Sequence, residues 1–237
     1  MNIQPIVEGH GEVPAVPELL RRLRNTAEAY GMDVNPAIRK KRSDLVEESQ
    51  VRKAVRLAMM QEECGAILIL FDSDDDAPCE VGPRVQAWAQ EEAQTEAGQI
   101  PCEVVLAHRE YEAWFLAAIE SLRGVRGIRP DATSHPDPEG PRGAKGQLEQ
   151  RMTARKSYSE TADQPALTAK FDMAQTYRRC RSFRRMVRAF GLLVTGMGMP
   201  LHNWPPPAWE ENPNNGPVVQ GDNPPQGGPG GEVVQPG

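Results

Sequence analysis

The run Ala66-Ile67-Leu68-Ile69-Leu70-Phe71, followed at once by Asp72-Ser73-Asp74-Asp75-Asp76, decides the fold. It is short, aliphatic and bounded by Gly65 on one side and an acidic cluster on the other. A strand buried on both faces reads this way, and such strands belong to parallel sheets covered by helices. Upstream, Ile3-Gln4-Pro5-Ile6-Val7 predicts a first strand, ending at Glu8-Gly9-His10-Gly11-Glu12. Val16, Leu20, Leu23, Ala27 and Tyr30 then recur at helical steps. Residues 33–38 predict a second strand, and Asp44 caps a helix that turns Leu45, Val51, Val55 and Ala58 inward. Downstream come a polar helix from Pro83 to about residue 97, a strand over 102–107 and a helix over 111–122 carrying Trp114, Phe115 and Ala118. This β-α alternation predicts a doubly wound α/β domain over residues 1–122 with a mainly parallel sheet. Ligands of such folds gather beyond the carboxyl ends of the strands. Glu8, Asp72 and the segment 108–112 all fall on that edge.

Residues 123–196 read as a C-terminal appendage. It is loop-rich to about residue 162, then one long helix opened by Asp163 and Pro165 and running to about Phe190. Cys180, Phe183, Val187 and Phe190 form its apolar stripe, with Arg178, Arg181, Arg185 and Arg188 beside it. Residues 197–237 contain 10 Pro and 8 Gly with no Lys or Arg, the composition of a disordered tail that folding does not need. Trp204 and Trp209 within it are the residues a docking motif would use.

The 237 residues carry a net charge of −6, which excludes a globally basic nucleic-acid coat protein. The charge is uneven: between Arg142 and Arg188, 12 basic residues face 4 acidic ones, a local excess of +8 that leaves −14 for the remainder. One part is therefore suited to anions and another to cations. Cys64, Cys79, Cys102 and Cys180 form no CxxC pair, which argues against a zinc ribbon or disulfide scaffold and for reduced thiols in a cytoplasmic protein. No apolar stretch approaches the ~18 residues of a membrane span, and no signal peptide is expected at the N-terminus.

The acidic run carries the chemistry. In a strand-end turn, Asp72 and Asp74 can face the same way, presenting oxygen ligands to a hard cation such as Mg²⁺, with Asp76 close behind. Carboxylates ~4 Å apart repel by roughly 4 kcal/mol per pair at an effective dielectric near 20. Several gathered at one edge with Glu8 and Glu12 call for a cation. An EF-hand loop starting at Asp72 fails, because Ala77 and Pro83 stand where Gly and Glu are required. A solvated acidic loop is the alternative. Gly9 and Gly11 do not make a dinucleotide loop, since Pro14 replaces the third glycine; Gly9 serves to turn the chain and project Glu8. His10 and His108 lie near the same edge.

Ile6-Val7-Glu8-Gly9 with Asp72-Ser73-Asp74 resembles the Toprim signature, a glutamate after the first strand and a DxD after a later one. More closely, VEGHGE at 7–12, HREYEAWFLA at 108–117 and DQPALTAKFDMAQTYRRCRSF at 163–183 are similar to a prokaryotic Toprim-related family of unknown function, number 4276. The resemblance covers most of residues 1–190. It implies a Toprim-like sheet and a Mg²⁺- or Mn²⁺-dependent phosphodiester site related to that of the overcoming-lysogenization-defect (OLD) nucleases. Glu8 would act as general acid/base, Asp72 and Asp74 would hold metal, Glu12 would match a second acidic position and Glu112 would complete the site. A topoisomerase needs a strand-handling domain and a primase further modules, neither of which this chain has room for. The expectation is a metal-dependent nuclease, with a role in phage or plasmid defence and a separately encoded ATPase as partner. Arg178, Arg181, Arg185 and Arg188 are the expected phosphate contacts. The alternatives are a non-catalytic metal- or nucleic-acid-binding regulatory module, or a phosphohydrolase of small nucleotides.

Overall fold

The computed structural model describes residues 1–95 and 98–210; the side chain of Thr95 lies outside the description. The strands are β1 (Asn2–Val7), β2 (Asp33–Val34), β3 (Ile38–Arg39), β4 (Cys64–Asp72), β5 (Gln94–Thr95), β6 (Gly98–Gln99) and β7 (Cys102–Ala107). The helices are α1 (Glu12–Thr26), α2 (Arg42–Leu45), α3 (Glu48–Met59), α4 (Pro78–Glu92), α5 (Glu112–Ala117), α6 (Ala144–Glu149), α7 (Glu160–Thr168), α8 (Met173–Arg179), α9 (Arg181–Gly196) and α10 (Pro207–Glu210). A 3₁₀ turn, Ile119–Leu122, follows α5.

The main sheet has five strands in the order β2-β1-β4-β7, with β3 continuing the β2 side of β1, and every pairing is parallel. The α/β class and parallel sheet read from the sequence are therefore observed. Alternation along β4 explains why its apolar run is unbroken. Ala66, Leu68 and Leu70 face a core shared with α1, α5, α7 and α9, while Ile67, Ile69 and Phe71 face α3 and α4. Both faces are covered, so every side chain in the run is withdrawn from water.

The C-terminal region differs most from expectation. The single helix expected over 163–190 is three, because Asp172 caps α8 through the Gln175 amide at 2.9 Å and the chain extends at Cys180 before α9 starts. Arg178 on α8 is thereby out of helical register with Arg181, Arg185 and Arg188. These helices are also not an appendage: Phe171, Phe183 and Phe190 belong to the main core beneath the sheet. Folding does not stop at Gly196. Trp209 is buried, and Trp204 donates from Nε1 to the Val187 carbonyl at 2.9 Å and lies against Phe190. Gly191 makes that docking possible, since a Cβ there would stand 2.6 Å from Trp204 Cδ1. The part of the expected tail from 211 to 237 lies outside the described residues.

Smaller differences have local causes. The strand expected over 33–38 is split at Pro36, which has no N–H to give the ladder. α1 ends at Thr26, leaving Tyr30 exposed rather than on the apolar stripe. α4 begins at Pro78, in the first-turn position proline favours, so Pro83 sits inside the helix. Asp44 lies within α2; Glu47 caps the following α3, accepting from the Ser49 amide at 3.1 Å. α7 opens at Ser159–Glu160, and Asp163 in its first turn is buried against Arg126 (2.6 Å) and Lys156 (3.3 Å).

Candidate functional site: an acidic strand edge

Three loops meet at the carboxyl edge of the sheet, after β1, β4 and β7. The β1–α1 loop is tied by Glu12, whose Oε2 accepts from the Glu8 and Gly9 amides, each at 2.9 Å. The β4 turn continues the pairing with β7, as the Ser73 amide donates to the Ala107 carbonyl at 2.9 Å and the Asp74 amide to the Arg109 carbonyl at 3.0 Å. Asp72 reaches across to the β7–α5 loop and accepts from the Tyr111 amide at 2.8 Å. Ser73 is buried and its hydroxyl meets His108 Nδ1 at 3.0 Å.

Inside this frame Glu8, Glu12, Asp72 and Glu112 act on one another. Burial, followed by the Glu12 and Glu112 charges, pushes the Asp72 carboxyl well above the usual carboxylate range. Burial pushes Glu12 up to about 7 against the pull of the Gly9 and Glu8 amides, with Glu8 and Glu112 adding to the rise. Glu112 also rises to about 7 through burial, opposed by Lys145 and by the Tyr158 hydroxyl, which donates to its Oε1 at 2.8 Å. Half-buried Glu8 is raised as well, mainly by burial, with Arg42 opposing and Asp74 reinforcing. One oxygen on each of Glu8 and Glu112 is buried without a hydrogen-bond partner.

Asp74 and Asp76 stand apart from this group. Both are exposed and pair with Arg42, at 3.1 and 2.5 Å, while the same guanidinium donates to the Asp72 carbonyl and, at 3.1 Å, to that of Ser73. Asp75 pairs with Arg109 and Arg142. The structure thus brings Glu8, Glu12, Asp72 and Glu112 together and turns Asp74 and Asp76 toward an arginine. Among the described residues, no three Asp, Glu, His or Cys side chains stand ready-made around a metal position. The buried group still fits a hard cation chemically: its donors are carboxylate oxygens, two of them unpartnered, with ionisation suppressed mainly by burial.

Sequence reasoning missed Lys145, Tyr158 and Arg42. Lys145 on α6 pairs with Glu160 at 2.9 Å; burial lowers its pKa, but the charges of Glu112, Glu160 and Asp72 together raise it further. Only the cluster of basic residues after Arg142 hinted at it, because its loop-rich setting carries no periodicity. His10 is exposed and outside the group.

Gly9 is not the sterically demanding glycine. A Cβ there would meet its nearest neighbour, the Glu12 side chain, at an ordinary 3.6 Å. At Gly11 it would overlap the Gln164 side-chain oxygen and stand 2.6 Å from the Glu160 carbonyl, so α7 packs directly on this turn. Gly11→Ala is expected to cost about 1–3 kcal/mol by overpacking, and Gly9→Ala far less. Urea midpoints of the two variants measure this, and equal losses would contradict the assignment.

The profile of the domain-of-unknown-function family DUF4276 matches residues 7–190, and the chain belongs to that family. No curated protein and no solved structure matches it. The three segments that carry the family resemblance meet in the fold. VEGHGE and HREYEAWFLA line the acidic edge, and the third segment packs on them through Gln164 at Gly11, Thr168 at the Tyr111 hydroxyl (3.1 Å) and Ser182 at Trp114 Nε1 (2.8 Å).

Proposed function

We propose that the acidic edge is a Toprim-like, divalent-cation-dependent site that cleaves nucleic-acid phosphodiesters in the cytoplasm, related in chemistry to the OLD-type nucleases. The observation that carries the reading is the convergence of Glu8, Glu12, Asp72 and Glu112, with an unpartnered buried oxygen on two of them. Asp72, at the half-buried mouth beside Glu8, is the residue that would hold Mg²⁺ or Mn²⁺, with Glu112 behind it. The cation supplies the Lewis acidity that phosphodiester hydrolysis needs. Glu8, whose carboxyl burial raises above the ordinary glutamate value, would pass a proton to the departing oxygen. Glu12 fixes the loop that presents Glu8, and Lys145 adds positive charge beside Glu112 and Asp72. Asp74 and Asp76 hold Arg42 at the rim. A separately encoded ATPase and a role in defence against phage or plasmids belong to this reading through the Toprim resemblance alone.

Incubation with labelled single- and double-stranded DNA and RNA tests the proposal. Cleavage is expected with Mg²⁺ or Mn²⁺, none with chelator, and at least a hundredfold loss in Glu8→Gln and Asp72→Asn with their folds intact. Absence of cleavage on every substrate in the presence of cation would overturn it. A second reading, a non-catalytic binding module, is favoured by the pairing of Asp74 and Asp76 with Arg42 and predicts binding of cation or nucleic acid without cleavage.

A further inference from the structure

The arginines of α9 lie between two cavities. One, about 630 Å³, runs along the outer face of the helix, with Arg184, Arg188 and Leu192 on one side and Tyr177 and Trp204 among its lining. The other, about 560 Å³, lies between α9 and α4 over the outer edge of β7, floored by Val104 and Leu106 and ending at His108. Arg181 and Arg185 line both. His108 touches Ser73, the residue after Asp72, so the second cavity ends one side-chain contact from the acidic turn.

The charges along this path are unevenly committed. Arg185 pairs with Glu103 at 2.6 Å, and the Glu139 carboxylate takes the Arg181 and Ser182 backbone amides. The guanidinium groups of Arg181 and Arg188 are exposed and meet no carboxylate among the described residues. Among the described residues Arg184 donates only to the carbonyls of Tyr177 and Arg178. Gly82, inside α4, also lines the second cavity, and a Cβ there would have free space up to Leu106 Cδ1 at 3.8 Å. Glycine inside a helix is destabilising relative to alanine. Packing does not require it here, and a larger side chain would take up part of the cavity.

We infer that α9 and its two flanking cavities form a track for single-stranded nucleic acid, leading along Arg188, Arg184 and Arg181 to His108 and the acidic edge. Phosphates need exposed cations, which the arginine row supplies. Aromatic and apolar surfaces interleaved with those cations reward bases whose faces are free, and a duplex has none to offer. Half-buried Trp204 and Tyr177 at one end are such surfaces, and the buried Val104 and Leu106 give the cavity at the other end an apolar floor. This inference gives the proposed nuclease its substrate class and rests on that reading for the direction of the track; its test is independent of cleavage.

The test is anisotropy of labelled 12-nucleotide single strands and of a hairpin duplex with the full-length chain, in chelator so that no cleavage occurs. Single strands are expected to bind at least tenfold more tightly than duplex and to quench tryptophan fluorescence. Arg181→Glu/Arg188→Glu should weaken binding at least tenfold and lower the log–log salt slope by about 0.7 for each phosphate that the variant leaves unneutralised, with an unchanged melting curve. Gly82→Phe should weaken single-strand binding by filling the second cavity. Equal affinity for duplex, no binding of either form, or an arginine variant that binds like the parent would overturn the inference. If single strands bind as expected but nothing is cleaved when cation is added, the track stands and the proposed chemistry fails.

Discussion

Between pH 8 and pH 5 the cation-free protein is expected to become more stable. Glu12 and Glu112 ionise near 7 in the folded chain, against 4.5 for an unperturbed glutamate. Across that interval the folded state holds protons that the unfolded chain has already lost. Stability from these groups is therefore greatest below about pH 4.5 and falls as pH rises to about 7, on the order of 3 kcal/mol per carboxyl. Below that window the order reverses, because Asp163 and Glu120 have lowered pKa values. Burial raises each of them, but hydrogen bonds from Ser159 and Arg126 to Asp163, and from Ser134 to Glu120, outweigh it. Urea midpoints at constant m-value measure the slope. Glu112→Gln should flatten it while keeping an acceptor for Tyr158. Millimolar Mg²⁺ should restore stability at pH 8 and do little at pH 5, where the site is protonated. A midpoint that rises steadily from pH 5 to pH 8 without cation would show that the four carboxylates do not share a site.

A chain ending at Gly196 is expected to melt at least about 10 °C below one ending at Glu210. The difference between the two is residues 197–210, which carry Trp204 onto Phe190 and Val187 and Trp209 onto Tyr177. Losing a packed tryptophan costs about 3–5 kcal/mol, and each kcal/mol moves the melting temperature of a domain this size by about 2–4 °C. Gly191 would be left facing an empty slot. Coincident melting curves would mean that the two tryptophans only rest on the surface.

The fold was legible where the sequence pattern had a single physical cause. The run from Ala66 to Phe71 is apolar because β4 is buried on both faces. The acidic edge was legible for the same reason: Glu8 and Asp72 follow strands, and parallel strands end on one side. The site's grouping was less so. Asp74 and Asp76 read as equals of Asp72 along the chain, but their partner Arg42 is 32 residues before Asp74 and arrives only through the crossover after β3. Lys145 and Tyr158 come from a region with neither helical nor strand period, so nothing local announced them. The C-terminal tryptophans were misread because proline and glycine dominate the average composition around them. Docking there depends on a few aromatic neighbours and one glycine across the interface, which a composition average does not register.

The central claim is that Glu8, Glu12, Asp72 and Glu112 form one cation-dependent site. Calorimetric titration of Mn²⁺ into the full-length protein at pH 7, repeated in two buffers of different ionisation enthalpy, tests it most directly. Binding is predicted to release protons, because carboxyls held near neutrality must ionise to become ligands. Asp72→Asn should abolish both the binding and the release. No binding, or binding that releases no protons and survives Asp72→Asn, would contradict the account.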